Sequence, residues 1–121
     1  MRQQSERITY RGETVFIMRA SLGHPTLRAR SSVVSDRLND IAREIAKRRG
    51  AAPPATVTIE DVANGSMLIR YGRHHLVTVS REDSELEGYA TRRVIAHRDL
   101  AGEWRRQLQL AIDRLSMPSV P

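Results

Sequence analysis

The chain has 121 residues, a formal net charge of +6, 4% aromatic residues and no cysteine. This length supports one mainly aliphatic hydrophobic core, and the lack of cysteine excludes disulfides, thiolate metal sites and cysteine nucleophiles. Lys47 is the only lysine among 20 basic residues, and 14 acidic residues are scattered among the arginines, so both a solvated surface of mixed charge and contact with an anionic partner stay open.

Residues 8–18 predict a β-hairpin. Apolar residues alternate with other residues on both sides of a turn at Gly12 and Glu13, which is the pattern of two paired antiparallel strands. Pro25 then ends the sheet pattern, because proline has no N–H to donate to a neighbouring strand.

The next segment predicts an amphipathic helix. Thr26 is the expected N-cap, and the basic run from Lys47 to Gly50 is typical of a helix end. Residues 51–55 are expected to form an extended connector. The apolar stripe of this helix consists of Val34, Leu38, Ile41, Ala42 and Ile45.

Three further strands are predicted at residues 56–62, 66–71 and 74–80, joined by turns at residues 64–65 and 72–73. Such short turns imply antiparallel neighbours. In the last strand, alternation places His75, Val77 and Val79 on one face.

Residues 81–93 are polar and are interpreted as a charge-balanced loop or a helix start. A second amphipathic helix follows, with Asp99 near its start. Its apolar stripe consists of Leu100, Ala101, Trp104, Leu108, Ala111, Ile112 and Leu115.

The predicted fold is therefore α+β, with the element order ββα then βββα. One domain over residues 1–116 is expected, with residues 117–121 as a tail or linker. We expect a two-layer sandwich, in which one antiparallel sheet of about five strands has both helices on the same face, because each element has a single apolar side. The other face of the sheet is then free to meet water or a partner.

Catalytic and metal chemistry find little support in the sequence. Adjacent strand residues such as His74 and His75 point to opposite faces and do not chelate one ion without distortion. A trio of Ser80, His75 and Asp83 lacks any nucleophile-elbow motif, and the acidic residues 82–87 suit a solvated segment. We therefore expect no enzymatic activity, no cofactor and no metal.

The turn between the last two strands carries the candidate partner or anion surface, which consists of Arg70, Arg73, His74 and His75. The alternative interpretation is that its arginines only protect an edge strand from aggregation.

Nucleic-acid binding is the second possibility, since the chain is basic. It would be favoured by exposed aromatic side chains among the arginines of the sheet, where only Tyr10, Phe16 and Tyr71 are available. Trp104 lies in an apolar stripe and is expected to belong to the core.

Two long parts of the chain resemble the amino-terminal soluble domain found in a group of bacterial mechanosensitive channels of the MscS family. In the first part the matching residues are Gly12, Val15, Phe16, Ile17, Arg19, Arg30, Arg37, Leu38, Ile41 and Ala42. Residues 69–79 are similar to the hairpin of that domain, and residues 100–112 are similar to its last helix.

This resemblance implies a non-enzymatic sensory or interaction domain in the periplasm, displayed in several copies around a homo-oligomeric channel. Such a domain is expected to bind a partner or a neighbouring subunit and to modulate gating. Because no stretch approaches the ~20 apolar residues of a membrane span, any membrane contact would come from segments outside this sequence. The alternative is a stand-alone basic module that binds nucleic acid or an acidic protein, in which case a cytoplasmic location is expected.

Overall fold

The computed structural model describes residues 5–47, 56–62 and 65–116. Several predicted features lie outside this part, namely the basic helix end at residues 48–50, the connector at residues 51–55, Asn64 of a predicted turn, and the tail at residues 117–121. The elements are β1 (Glu6–Tyr10), β2 (Glu13–Met18), α1 (Leu27–Lys47), β3 (Val57–Asp61), β4 (Met67–Tyr71), β5 (His74–Val79), α2 (Arg81–Thr91) and α3 (His97–Ser116).

The five predicted strands all form, and the α+β class is confirmed. The expectation of one continuous sheet is wrong, because the described strands make two antiparallel sheets, β1-β2 and β3-β4-β5. The physical reason lies at the ends of the strands. Arg30 donates to the carbonyl of Ala20, just after β2, and to that of Thr78 in β5, so a side chain bridges these two segments.

The β1-β2 turn is centred on Arg11 and Gly12, one residue earlier than predicted. Both residues have positive φ, 50° and 88°, as in the turns whose twist suits a two-residue hairpin. The register shifts between Ile8 and Thr9. This bulge lets Val15 and Phe16 both enter the core.

A second bulge changes the faces of β5. Ile69 pairs with Val77, whereas the next residue, Arg70, pairs with His75, so Leu76 is the extra residue. Leu76 and Val77 are both buried and His75 is exposed. The prediction that His75 shares a face with Val77 is therefore wrong.

Helix α1 follows its sequence pattern closely. The backbone N–H of Ala29 donates to Oγ1 of Thr26 at 3.0 Å, which confirms the predicted cap. Of the predicted stripe, Val34, Leu38 and Ile41 are buried, and Ala42 and Ile45 pack against the core.

Helix α2 occupies the segment that the sequence left as a loop or a helix start. Ser80 is its N-cap and forms a capping box with Asp83, and Arg92 ends the helix in the left-handed conformation. The buried residues of α2 are polar, namely Asp83, Ser84 and Glu87. A helix without an apolar stripe gives no hydrophobic period to detect, so the predicted element order lacked it.

Helix α3 contacts each of the five strands, whereas α1 contacts β1 and β5. The side chain of Leu115 lies outside the described part, and the other residues of the predicted α3 stripe are buried, namely Leu100, Ala101, Trp104, Leu108, Ala111 and Ile112. The Trp104 ring stacks on Phe16, with 4.2 Å between ring centroids, which confirms its place in the core. Within the described residues, none of the helices has the length and apolar character needed to span a bilayer.

Candidate anion-binding site

The β4-β5 turn begins with Gly72 at φ 57°, a conformation that glycine adopts without steric cost. Arg73 follows in the turn and is exposed. Arg70 lies just before the turn, and its Nη2 is 3.7 Å from Oε1 of Glu60. That separation is too long for a hydrogen bond, so Arg70 is only weakly paired with this carboxylate.

The two neighbouring histidines have different partners. Nε2 of His74 lies 2.6 Å from Oε2 of Glu44, so this ring ties the turn to α1. Nε2 of His75 lies 3.0 Å from Oγ1 of Thr78. His75 and Thr78 are three residues apart in β5, and they lie on the same face of the sheet because the bulge at Leu76 shifts the alternation by one residue. Across the part of the chain that the structure describes, no three potential metal-ligating side chains of the His, Cys, Asp or Glu type come together.

His75 is surrounded by positive charge. Arg70 is its cross-strand partner, and Arg37 approaches from α1. Partial desolvation of the ring lowers the pKa of His75 below its ordinary value, and the charges of Arg37 and Arg70 lower it further. The charges of Arg37 and Arg70, unlike the desolvation, would also favour an anion bound near this ring.

Two arginines of α1 reach the edge of β5. Nη1 of Arg37 donates to the carbonyl of Leu76 at 3.1 Å, and Nη2 of Arg30 donates to the carbonyl of Thr78 at 2.7 Å. The arginines are seven residues apart, which places them on one face of the helix two turns apart. They supply donors to an edge that would otherwise be open to pairing with another chain.

A groove of about 300 Å³ lies between α1, β5 and the loop that precedes α1. We call it the basic groove. Among the described residues its lining contains no carboxylate. The lining consists of Leu22, His24, Arg30, Val33, Val34, Arg37, His75, Val77 and Thr78.

Arg30, a buried residue of this lining, already uses its Nη1 and Nη2 groups for contacts within the protein. Its Nη1 and Nη2 lie 2.6 and 3.0 Å from the two oxygens of Asp83, and Nη1 also donates to Ala20. Asp83 in turn accepts from the N–H of Ser80 at 2.9 Å. The residues of the trio considered above thus have separate tasks, since Ser80 and Asp83 cap α2 while His75 bonds Thr78.

A second cleft of about 370 Å³ lies beside β2, α2 and α3. Its charges are compensated in pairs. Arg19 lies 3.3 Å from Glu87, and Arg93 lies 2.9 Å from Glu103. It therefore offers no net charge to a ligand, unlike the basic groove.

Of the four residues predicted for the site, the structure brings Arg70 and His75 together, leaves Arg73 exposed in the turn, and directs His74 to Glu44. Sequence reasoning missed Arg37 and His24 as members. The seven-residue spacing of Arg30 and Arg37 was the available signal, because it places both on the side of α1 that carries Val34 and Leu38.

Comparison with known proteins gives one match. A family model described as a domain of unknown function (DUF8459) matches residues 7–115. No curated protein and no solved structure matches the chain. The kinship with MscS-family channels inferred from the sequence stays a prediction.

Proposed function

The chain belongs to the DUF8459 family of domains of unknown function, and we propose that it is a non-enzymatic interaction domain. Its basic groove, together with the adjoining β4-β5 turn, binds an anionic group on a partner. The observation that carries this proposal is the position of His75, which pairs across the sheet with Arg70 and shares with Arg37 a groove whose described lining holds no carboxylate.

We further propose that the two sheets and the long helices form two layers, with the outer face of the three-stranded sheet left open. The register supports this arrangement. Thr58, Arg70 and His75 lie in register across β3, β4 and β5, and Thr58 and His75 are exposed. On the opposite face, Ile69 and Val77 are buried. The open face thus places Arg70 and His75 within reach of a partner.

The partner class favoured by these observations is a protein with an acidic segment. Stacking of nucleic-acid bases needs exposed aromatic rings among basic residues, whereas the aromatic side chains of the sheets, Tyr10, Phe16 and Tyr71, are all buried. Tyr89 of α2 is exposed, but it does not line the basic groove. Several surface arginines elsewhere are paired with carboxylates, as in the contacts of Arg93 with Glu103 and of Arg114 with Glu13. Such pairing interrupts the positive charge that a phosphate-backbone site needs as a continuous stripe.

We propose that the domain is attached to an MscS-type channel, in several copies and in the periplasm. The anionic partner would act on the channel in this setting. A partner that binds one gating state more tightly shifts the open-closed balance by that difference in affinity. The sequence resemblance supports this setting, and the anionic-partner hypothesis stands without it.

Poly-L-glutamate is the probe for the proposed function, titrated into the ¹⁵N-labelled domain by NMR. We expect saturable shifts at Arg70, Arg73 and His75 and weaker binding at high salt. Arg37→Gln should weaken binding about fivefold to tenfold, in line with the ~1–1.4 kcal/mol of a partly buried charge contact. Arg106→Gln, which removes the same charge from the exposed side of α3, is the matched control.

Equal losses from Arg37→Gln and Arg106→Gln would mean that only net charge matters, and the site would be refuted. A second titration uses a 20-base-pair DNA duplex at the same salt concentration. Tighter binding of the duplex than of poly-L-glutamate would replace the acidic-protein partner with nucleic acid.

A further inference from the structure

We propose that the basic groove takes a small organic oxyanion, a carboxylate or a phosphate ester that carries a short aliphatic group. This inference rests on the proposed function, because it names the ligand chemistry of the same site. The observation behind it is that His24, Arg37 and His75 line the same groove as the half-buried apolar side chains of Leu22 and Val33 and the buried Val77.

The charged end of the groove depends on Arg37. Arg30 is neutralised by Asp83, and its donors are used for Asp83, Ala20 and Thr78. Arg37 donates to the carbonyl of Leu76, and a guanidinium has five N–H donors in all. No carboxylate of the described residues forms an ion pair with Arg37, so its remaining donors and its charge are suited to the oxygens of a carboxylate or phosphate.

The volume and the apolar lining residues of the basic groove limit the size and the chemical nature of the rest of the ligand. A volume of about 300 Å³ is at the lower end of the range for small-molecule pockets, so a short chain fits better than a nucleotide. Leu22 contributes from the loop before α1, where its φ of 45° is uncommon for a leucine. Val33 of α1 and Val77 of β5 also line the groove.

Binding is coupled to a proton. His24 from the loop, Arg37 from α1 and Thr78 within β5 line the groove with His75, and Arg70 of β4 is its cross-strand partner. Two carboxylates lie near this group, Glu60 at 3.7 Å from Arg70 and Glu44 at 2.6 Å from His74. An anion placed in the groove offsets the two arginine charges and raises the pKa of His75. Affinity for a carboxylate, which stays ionised over this range, should therefore rise as the pH falls from about 7.5 to 6.

Isovalerate and isobutyl phosphate are the probes that separate the two sources of an oxyanion, and isobutanol is their uncharged counterpart. We expect saturable NMR shifts at His24, Val33 and His75 for at least one anion and none for isobutanol. Val33→Phe fills the apolar end and should weaken binding about tenfold or more, a change of ~1.4 kcal/mol. Val94→Phe, at an exposed position, is the matched control.

Arg37→Gln provides a second variant that leaves the groove volume nearly unchanged, and thermal unfolding of each variant confirms that it folds. The proposal is overturned if neither anion binds saturably, or if Val33→Phe and Val94→Phe bind alike. Retained poly-L-glutamate binding in the same samples would show that only the ligand assignment fails. If the unmodified domain bound neither the small anions nor poly-L-glutamate, the proposed function would be refuted as well.

Discussion

Arg30 and Asp83 form a buried two-point ion pair between α1 and the first turn of α2, with Nη–Oδ distances of 2.6 and 3.0 Å. Their side chains are 3% and 0% exposed. Further bonds from Arg30 to the carbonyls of Ala20 and Thr78 connect this pair to the end of β2 and to β5. Four segments from two separate stretches of the sequence thus meet at one guanidinium.

Breaking this pair is expected to be costly. Asp83→Asn keeps an oxygen for the N–H of Ser80 but leaves the Arg30 charge uncompensated, which should lower the free energy of unfolding by about 3–5 kcal/mol. Urea unfolding followed by the fluorescence of Trp104, the single tryptophan, measures the loss. Replacing both partners, as Arg30→Met with Asp83→Leu, should cost less than the sum of the two single changes.

The exposed pair of Arg43 with Asp40 is the control for that experiment. Arg43→Gln should change the free energy of unfolding by no more than about 0.5 kcal/mol, because solvent screens an exposed pair. If Asp83→Asn were equally mild, the buried pair would not be the structural link described here.

Two helical glycines should respond in opposite directions to alanine. A Cβ on Gly88 would lie 2.5 Å from the backbone oxygen of Arg93, whereas a Cβ on Gly102 would meet nothing within 4 Å. Gly102→Ala should therefore stabilise the domain by about 0.5–1 kcal/mol through helix propensity. Gly88→Ala should destabilise it, because the backbone at the end of α2 has to move. Urea titrations of the two variants and the unmodified domain measure these changes in the free energy of unfolding. A stabilising effect of Gly88→Ala would contradict the described end of α2.

The pH dependence of stability should carry a contribution from His75. Its pKa is lowered in the folded state by desolvation and by Arg37 and Arg70, so the unfolded chain binds more protons in the window just below pH 6.5. Stability from this group is therefore fully present above about pH 6.5 and is lost as the pH falls towards the lower folded pKa.

His75→Gln removes that contribution. The difference in free energy of unfolding between the unmodified domain and His75→Gln should shift in favour of the variant as the pH decreases from 7.5 to 5. Taking the difference cancels the other titrating groups that both proteins share. A constant difference over this range, or an NMR titration that places the His75 pKa above 6.5, would contradict the described environment.

Local patterns were sufficient for several elements. The alternation in residues 8–18, the stripe of Val34, Leu38 and Ile41 and the cap at Thr26 each depend on residues within a few positions of one another. The same is true of Trp104, whose place in an apolar stripe predicted its burial. For the candidate site, local order placed Arg70 and His75 at one hairpin, where the structure also has them.

Long-range contacts decided the rest. The bulge at Leu76 turns His75 away from Val77, and α2 owes its burial to ion pairs with Arg30 and Arg19, partners 53 and 68 residues away. Arg37 and His24 join the groove only because α1 packs along β5. Sequence alone thus determined the five strands and the two amphipathic helices, since hydrophobic period is a local property, but not α2, which has no such period. The tertiary structure decided register, faces and charge partners, because each depends on residues that meet only when the chain folds.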